Sequence, residues 1–432
     1  MYDNWKTYKL GDIIVSANTG LDAIKRAPIV QDDTGIKCLR IQDVSQEKEY
    51  NNWGFCNVSK ENYKKFALKE GEIIIARTGN TIGVNMFVKE DINSVFNNGL
   101  IRIRVNKQLN YPKYLYYIFR SNSFKNYIQA IAFGTSTQPN MQIGSLLNYD
   151  LVLPPLPEQR AIANILSTID DKIENNLAMN KTLEDMAMAL YKNWFVDFGP
   201  FQEGKFVDSE LGLIPEGWEV KPIGEFVNHQ KGYAFKSKWY KSKGKVVVRV
   251  SDTTHNSIDL NSCNRISYQK AEELKKYNLT TNDVIITSVG SWPPNYASVV
   301  GKVVRVPSVA NGCLLNQNAV KLQMKLKDKK HQSLLYFTLK NVRFLNYIVN
   351  TAQGSASQAS IKLTDIFDYK IPFLSITNFI NFSSQADSLI EQQNQLIEEN
   401  QTLTQLRDTL LPKLISGEVR LKEFEEVITA AL

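Results

Sequence analysis

The sequence has no uninterrupted apolar run of about 18 residues, the shortest stretch that commonly crosses a bilayer as a helix. Its four cysteines, Cys38, Cys56, Cys263 and Cys313, are widely spaced, and it has only three histidines. This pattern fits neither a disulfide framework nor a zinc site, so we expect buried free thiols and no bound metal. The opening residues MYDNWKTYKL contain no apolar signal region, so we expect a cytoplasmic protein.

Sequence motifs of the common hydrolases and nucleotide-binding enzymes are also missing. The chain has no GxxxxGK-S/T loop for nucleotide phosphates, no HExxH metal motif and no GxSxG nucleophile turn. Its acidic residues do not form an obvious nuclease cluster. We therefore predict a protein that binds rather than catalyses, with no catalytic residue and no cofactor of its own.

Charge is unevenly distributed along the 432 residues, whose net charge is +7. Residues 158–198 carry four Lys or Arg against seven Asp or Glu, and residues 376–432 carry four against nine. The remaining segments, 1–157 and 199–375, together hold 43 basic and 28 acidic residues. Two basic segments thus alternate with two acidic ones. Basic segments favour a polyanionic partner, although a moderately basic pI is also common in proteins that bind none.

The second half of the chain repeats the first at an offset of 211 to 220 residues. The clearest pair is YLYYIFRSNSFKNYIQAIAFGTSTQ (114–138) with LLYFTLKNVRFLNYIVNTAQGSASQ (334–358). A second pair is KKFALKEGEIIIARTG (64–79) with KKYNLTTNDVIITSVG (275–290). Repetition on this scale predicts two copies of one domain, each followed by a similar helical segment.

Each copy has the pattern of a mixed α/β domain. The short β-branched runs EIIIA (72–76) and DVIIT (283–287) predict buried strands. Two further runs of this character are CLRIQDV (38–44) and VVVRVSD (246–252). The helical spacing of Tyr and Phe in residues 111–132 predicts helix, with the aromatic stripe packed in the domain core.

Each copy is followed by a long segment with heptad spacing, which predicts a coiled coil. The first segment starts at the prolines of LPPLPEQR (153–160), and a helix over 158–197 would be about 60 Å long at 1.5 Å per residue. Proline suits the first turn of a helix but interrupts a strand ladder, so these prolines separate a compact domain from a spacer. The predicted seam positions are Ile169, Asn176, Leu183 and Leu190 in the first helix and Leu389, Leu396, Leu403 and Leu410 in the second.

We predict that the two helices pair antiparallel, with a polar layer near their middles. The other set of seam positions includes Asn180 in the first helix and Asn400 in the second. A near-twofold arrangement would place Asn176 opposite Asn400 and Asn180 opposite Leu396. A buried Asn pair loses stability relative to Leu but fixes register and orientation. The alternative is that Asn180 and Asn400 face water.

Three stretches resemble a known family. LPPLPEQRAIANILSTIDDKIE (153–174), LYKNWFVDF (190–198) and DSELGLIPEGWEV (208–220) are similar to the DNA-specificity subunit of type I restriction–modification systems. The resemblance covers essentially the full chain. The start of the second long helix departs from it, because IPFLSITNFI (371–380) has a single proline and lacks the Glu-Gln-Arg of the first.

The resemblance implies an α+β fold class. Two tandem mixed α/β target-recognition domains would each be followed by a long helix, and the two helices would pair as an antiparallel coiled coil with pseudo-twofold symmetry. The expected divisions are target-recognition domain 1 at 1–155, a central spacer helix at 156–198, a linker at 199–217, target-recognition domain 2 at 218–375, and a C-terminal spacer helix and tail at 376–432.

The resemblance also implies a function without chemistry of its own. Such a subunit reads a bipartite asymmetric site on double-stranded DNA, one half-site per domain, across an unread spacer. Its helices dock modification subunits, expected here to be two, which bind S-adenosylmethionine and methylate adenine. Restriction subunits, which use ATP, join them to cut unmodified DNA.

The residues alone leave a second class of function open. An antiparallel coiled-coil scaffold whose domains bind protein or RNA would have the same alternation of domains and helices. Strong salt dependence together with a sequence preference on duplex DNA would separate the two hypotheses. No residues support a third hypothesis, a standalone enzyme.

The loops that follow the Ile-rich strands are our first choice for reading bases. Arg can bind O6 and N7 of guanine, and Asn can bind N6 and N7 of adenine, in the major groove. The base-reading candidates are Arg77, Thr78 and Asn80 in the first copy and Ser288, Trp292, Asn295 and Tyr296 in the second. The phosphate-binding candidates are Lys64, Lys65, Lys275 and Lys276. The alternatives are a surface ion pair for Arg77 and a solubilising role for the lysines.

The polar loops GTSTQPN (134–140) and GSASQAS (354–360) match each other between the two copies. Two domains that read different bases should differ where they read them. We therefore expect these loops to contact phosphates or to pack between domain and helix.

Overall fold

A computed structural model describes residues 4–132, 140–254, 257–296, 298–325, 332–373 and 376–419. The chain divides into two compact units: unit 1 combines residues 1–172 with 403–432, and unit 2 spans residues 173–402. Each unit contains one copy of the repeat, which we name body 1 (residues 4–155) and body 2 (residues 218–373), together with parts of both long helices. Within the described ranges, no helix combines the length and the apolar character needed to cross a membrane.

Body 1 contains two four-stranded sheets and one two-stranded sheet. The first sheet is antiparallel throughout and has the order Ile14–Thr19, Leu100–Val105, Ile73–Ala76, Asn85–Phe87. The second has the order Ile29–Val30, Gly54–Cys56, Lys37–Leu39, Ser94–Phe96, and its last two strands are parallel. The two-stranded sheet pairs Lys6–Lys9 with Asp150–Leu153. The first strand of the body is thereby fixed beside the strand that leads into the first long helix.

The predicted aromatic segment of body 1 is helical, and its aromatic rings belong to the core of the body. Tyr114 and Phe119 of the helix Pro112–Arg120 and Phe124 of the helix Asn122–Ala132 are fully buried. The α-helices of body 1 are Ile41–Ser45, Lys60–Phe66, Pro112–Arg120, Asn122–Ala132 and Ile143–Leu147, and its 3-10 turns are Leu10–Ile13 and Tyr50–Asn52. The strand predicted at 72–76 is present as Ile73–Ala76 and is buried along its whole length.

Body 2 repeats this plan with the same kinds of sheet. The strands of its two four-stranded sheets are, in order, Val227–Lys231, Ala319–Met324, Val284–Thr287, Val303–Arg305 and Tyr240–Lys241, Asn264–Ile266, Lys245–Val248, Leu314–Leu315. Its two-stranded sheet pairs Glu219–Pro222 with Lys370–Phe373, and a three-stranded sheet joins Val289–Gly290, Gln358–Ser360 and Gln353–Ser355. Its α-helices are Tyr268–Glu273, Gln332–Lys340, Val342–Thr351 and Leu363–Phe367, and its 3-10 turns are Ile223–Glu225, Ser237–Trp239, Val250–Asp252, Lys275–Tyr277 and Ser308–Ala310.

The strands predicted at 38–44 and 246–252 are shorter than expected and end at Leu39 and Val248. An Arg–Asp pair turns the chain at the same place in both bodies. The backbone N–H of Arg40 donates to Asp43 Oδ2 at 3.1 Å, and that of Arg249 donates to Asp252 Oδ2 at 2.9 Å. In both pairs the guanidinium also binds the buried carboxylate. This capping stabilises a helical turn, which stops the strand despite its β-branched sequence.

The four cysteines are free and buried, as predicted. Cys38 lies in the strand Lys37–Leu39 and Cys56 in the neighbouring strand, whereas Cys263 and Cys313 belong to a core cluster of body 2. Burial raises the pKa of the Cys313 thiol, which suits a side chain that packs as a small apolar group.

Residues 199–217, expected as a linker, contain ordered structure in unit 2. Strands Phe206–Ser209 and Gly212–Pro215 form a hairpin, preceded by a 3-10 turn at Gly199–Phe201. The rings of Phe198 and Phe201 lie 5.2 and 5.1 Å from that of Trp218. An aromatic cluster therefore anchors the segment between the end of the first long helix and the start of body 2.

The first long helix runs from Leu156 to Phe195 and the second from Ile376 to Ser416. Gln159 explains part of the distinctive start of the first helix. Its side chain is buried; Oε1 accepts the backbone N–H of Tyr111 at 2.8 Å, and Nε2 donates to the carbonyls of Leu109 and Pro154. This single amide fastens the first turn of the helix to body 1.

The two long helices pair antiparallel within unit 2. Asn176 Nδ2 donates to Asn400 Oδ1 at 2.9 Å, and Asn400 Nδ2 donates to the carbonyl of Ile173 at 3.2 Å. Further along, Gln393 Nε2 donates to the carbonyl of Asn180 at 3.0 Å. Higher numbers in one helix thus meet lower numbers in the other. Asn176 and Asn400 share one layer, and the next bond along the pair joins Gln393 to the backbone of Asn180.

The seam departs from a strict seven-residue repeat where the helices meet body 2. Leu190, Leu389 and Leu396 are only half-buried, while Tyr191 and Ile390 are buried beside the first two. Tyr191 and Phe195, four residues apart, pack with Phe382 in a cluster that also contains core residues of body 2. The other predicted seam leucines, Leu183, Leu403 and Leu410, are buried with Ile169. The broad apolar face of body 2 therefore widens the stripe on each helix.

The polar layer yields a prediction about stability. Asn176→Leu should destabilise the protein by about 1–3 kcal/mol, because it leaves the amide of Asn400 without its donor. Adding Asn400→Leu should recover much of this loss, since two apolar side chains can replace a buried polar pair. Urea unfolding of both single variants and the double variant would give the coupling energy.

Asn175→Leu is the matched control, because Asn175 is the exposed neighbour of Asn176. It should change the unfolding free energy by no more than about 0.5 kcal/mol. Additive effects of the two core substitutions, to within about 0.5 kcal/mol, would contradict a shared layer.

Candidate nucleic-acid interface

The candidate reading loop of body 1 begins where the buried strand Ile73–Ala76 ends. The backbone N–H of Arg77 donates to the carbonyl of Gly99 at 2.9 Å, and the carbonyl of Arg77 accepts from Met141 at 2.8 Å. Its Nη2 donates to Asn140 Oδ1 at 3.1 Å, whereas its Nε is buried without a hydrogen-bond partner. Arg77 is thus fixed at its backbone and along part of its side chain. The guanidinium thus binds the uncharged amide of Asn140, whereas the alternative for Arg77 was a surface ion pair with an acidic side chain.

The two residues after Arg77 lead out toward solvent. Thr78 is half-buried and forms a bridge with Asn140, whereas Asn80 is exposed. Gly79 lies between them with φ of +80°, a conformation that favours glycine. The loop therefore projects Asn80 from a rigid base.

The loop of body 2 has the same backbone frame with a different side chain at its base. The backbone N–H of Ser288 donates to the carbonyl of Asn318, and its carbonyl accepts from Ile361 at 3.0 Å. These bonds correspond to those of Arg77 with Gly99 and Met141. Body 2 thus has a short hydroxyl side chain at the backbone position where body 1 has the guanidinium side chain of Arg77.

Beyond Ser288 the two loops differ in length and support. Trp292 Nε1 donates to the carbonyl of Ser355 at 2.8 Å, which ties the loop to the exposed hairpin of residues 353–360. Ser291 Oγ donates to the carbonyl of Asn295 at 2.8 Å and closes a turn. Asn295 and Tyr296 are exposed, and Tyr296 shows 59% of its surface. Body 2 thus presents an amide and an aromatic ring where body 1 presents Asn80.

The four candidate lysines are exposed, and Lys65, Lys275 and Lys276 contact residues close to them in the sequence. Lys64 and Lys65 lie in the last turn of Lys60–Phe66, and Lys65 Nζ is 5.6 Å from the Phe66 ring. Lys276 Nζ is 4.9 Å from the Tyr277 ring. Lys275 pairs with Glu272 at 2.8 Å, and this hydrogen bond raises the pKa of Lys275. Because Glu272 partly neutralises Lys275, Lys276 is the better phosphate ligand of the two.

Sequence reasoning missed the partners that hold both loops. Asn140 and Ser355 belong to the polar segments that match between the copies, and each bonds a candidate residue of its own body. The segment 354–360 forms part of a hairpin paired with Val289–Gly290, so its contacts support the reading loop. Residues 134–139 of the other segment lie outside the described residues. The match between the segments 134–140 and 354–360 was the sequence signal for these partners, because a pattern that both copies share indicates a supporting role in both.

Metal binding has no support in the part of the chain that the structure describes. No group of three or more His, Cys, Asp or Glu side chains there could hold a metal ion. The potential ligands for nucleic acid are instead Arg, Asn, Tyr, Trp and Lys side chains. These are the side chains that bind base edges, stack on rings or contact phosphates.

Comparison with known proteins gives a consistent picture. The model of the family described as "Type I restriction modification DNA specificity domain" matches residues 2–185 and 215–402. The chain is 30% identical over 316 residues to the type I restriction enzyme MjaIX specificity subunit of Methanocaldococcus jannaschii, covering 72% of this chain and 70% of that protein. It is 25% identical over 483 residues to the HindI specificity subunit of Haemophilus influenzae, covering 96% and 100%.

A solved structure shares the fold over nearly the whole chain. The type I restriction–modification S subunit from M. genitalium matches with a TM-score of 0.54 at 16% identity, covering 95% of this chain and 96% of that one. At this identity the match concerns the fold alone. Since the family model covers both bodies and most of the first long helix, the chain belongs to the DNA-specificity subunits of type I restriction–modification systems, which recognise DNA sequence and are not themselves catalytic.

Proposed function

We propose that this subunit reads a bipartite, asymmetric site on double-stranded DNA, with one half-site for each body. The paired long helices set the number of unread base pairs between the half-sites. The same helices dock two modification subunits, which methylate adenine, and the restriction subunits that cut unmodified DNA. The proposed divisions are those of the sequence: recognition domains at 1–155 and 218–375, with spacer helices starting at 156 and 376.

The observation that carries this proposal is one backbone frame with two different side chains. Arg77 and Ser288 follow equivalent buried strands and make equivalent backbone hydrogen bonds. The side chains beyond them differ in kind, in number and in exposure. Two domains with a common scaffold and different projecting groups are suited to read two different base sequences.

The chemistry of each loop suggests its role. Arg77 has a guanidinium suited to guanine, and Asn80 has an exposed amide suited to adenine. In body 2, Asn295 supplies the amide and Tyr296 an aromatic edge, while Trp292 supports the loop through its bond to Ser355. Lys64, Lys65 and Lys276 suit phosphates, which position the protein without reading sequence.

The surface of the first long helix supports the docking of protein subunits. In its unit 2 portion, Leu177, Met179 and Met186 are more than half exposed. Exposed apolar side chains on an acidic helix suit a protein partner better than a DNA backbone. Met179 and Met186 are seven residues apart, so they lie on nearly the same side of the helix.

An exchange of bodies tests the modular part of the proposal. Replacing residues 1–150 with the same region of a relative should change one half-site and leave the other unchanged, because each body has its own frame and loop. The readout is the motif around methylated adenines in cells that also produce the modification subunits. A reciprocal exchange of residues 218–373 is the control and should change the other half-site. A change of both half-sites in either chimera would contradict independent reading.

A single substitution tests the role of Arg77. Arg77→Ala should weaken binding to the preferred site by about 1–3 kcal/mol and relax the preference at one base position. Lys64→Ala should instead weaken binding to all sequences and reduce the slope of affinity against salt by about one. Binding of the assembled complex to a panel of single-base variants, at several salt concentrations, would measure both effects.

Asn140→Ala separates reading from support, because Asn140 holds the Arg77 guanidinium and is not proposed to contact bases. It should lower affinity less than Arg77→Ala does and keep the base preference. An Arg77→Ala variant that lost affinity equally for every sequence would contradict a reading role.

A further inference from the structure

Glu184 of the first long helix joins three parts of unit 2. Its Oε1 accepts the hydroxyl of Tyr336, which lies on the helix Gln332–Lys340 of body 2. Its Oε2 accepts Gln393 Nε2 of the second long helix at 3.1 Å. All three side chains are buried. One carboxylate therefore connects both long helices to body 2.

Arg305 extends this network from the central sheet of body 2. Its Nη2 donates to Gln393 Oε1 and its Nη1 to Asn394 Oδ1, both at 3.0 Å. Gln393 thus binds Arg305 through its oxygen and Glu184 through its nitrogen. Burial lowers the pKa of Arg305, which reflects a cation that depends on these fixed acceptors in place of water.

Asp170 has the corresponding position in unit 1. Its Oδ2 accepts the Tyr117 hydroxyl at 2.8 Å and Arg120 Nη1 at 3.0 Å, both from the helix Pro112–Arg120 of body 1. Its Oδ1 accepts Arg407 Nη1 of the second long helix at 2.9 Å. A carboxylate of the first long helix again connects a body with the second long helix.

The two networks are not copies inherited from the repeat. At the offset of 220, the counterpart of Asp170 is Ile390 and the counterpart of Glu184 is Thr404. In both units, however, the acid is on the first long helix and the bonded tyrosine is on the body. Apolar packing alone would be enough to hold a body against the helices. A similar polar arrangement built from non-equivalent residues therefore indicates a requirement on the orientation of the body.

Apolar contacts alone would let a body rotate on the helix pair, whereas the hydrogen bonds of Glu184 and Asp170 oppose such a rotation. A rotation of a few ångströms keeps most of an apolar interface but separates hydrogen-bonded atoms, which leaves the buried charge of Glu184 and the partly buried charge of Asp170 without partners. Burial and the carboxylate of Glu184 raise the pKa of Tyr336, and burial and Asp170 do the same for Tyr117. Both hydroxyls therefore remain protonated donors at neutral pH.

We propose that Glu184 and Asp170 are positioning residues that fix the orientation of each body on the helix pair, and thereby the number of base pairs between the two half-sites. The inference rests on the proposed function, because it requires each body to read one half-site. Neither residue reads a base. The networks decide which spacings are accepted, and the loops decide which bases are accepted.

Substitutions in unit 2 test this separation. Tyr336→Phe removes only the hydroxyl and keeps the buried ring, so it should fold; Glu184→Ala removes both links. The assembled complex with its modification subunits would methylate genomic DNA, and sequencing would give the half-site bases and the spacer length. Relative to wild type, methylation of sites whose spacer is one base pair longer or shorter should rise by about tenfold, with unchanged half-site bases.

Two controls separate positioning from loss of stability. Leu279→Ala creates a cavity in a core cluster of body 2 that contains no residue of the long helices, so it lowers stability without touching the network. Tyr268→Phe makes the same chemical change at an exposed tyrosine. Both controls should keep the wild-type spacer.

Each outcome bears on a distinct claim. Tyr336→Phe and Glu184→Ala variants that methylate less but keep a single spacer, as Leu279→Ala does, would overturn the positioning role. A change in half-site bases would also overturn it. A wild-type complex whose methylated adenines lie in no two-part site would overturn the proposed function itself.

Discussion

A buried carboxylate or amide has few positions in which all its hydrogen bonds are satisfied, and the long helices of this protein depend on that constraint. In unit 2, Asn176 and Asn400 fix the layer of the helix pair, and Glu184 ties the pair to body 2. In unit 1, Asp170 ties body 1 to the second long helix through Arg407. Such groups lose stability relative to apolar side chains but select one arrangement. Under the proposed function the subunit sets the distance between two half-sites, and this requires one fixed arrangement more than it requires extra stability.

Each body divides its residues between scaffold and variable surface. The scaffold includes the central strand, the Arg–Asp turn and the backbone hydrogen bonds of the residue that follows the central strand, and all three occur in both bodies with closely similar bonds. The side chains that project from the scaffold differ. Under the proposed function, this division lets the bases that a body reads change without any change in its attachment to the helices.

Much of this architecture follows from the sequence, because tandem repetition and heptad spacing are long patterns that few structures satisfy. The EIIIA and DVIIT runs gave correct strands, and the placement of Asn176 opposite Asn400 agrees with the observed hydrogen bond. Local bonds that compete with periodicity were harder to predict. Asp43 and Asp252 end strands that their β-branched neighbours would continue, and Tyr191 and Ile390 replace Leu190 and Leu389 because body 2 packs against both helices. The partners Asn140 and Ser355 depend on contacts between distant segments, which no single stretch of sequence encodes.

The central proposal is that the paired helices set the distance between the two half-sites that the bodies read. The most direct test inserts seven residues of matched heptad sequence into each long helix, after Lys172 and after Thr402, and maps the methylated adenines made by the complex. Seven residues lengthen a helix by about 10 Å, which corresponds to roughly three base pairs. The account predicts unchanged half-site bases with a spacer about three base pairs longer. An unchanged spacer with full methylation, or altered half-site bases, would contradict it.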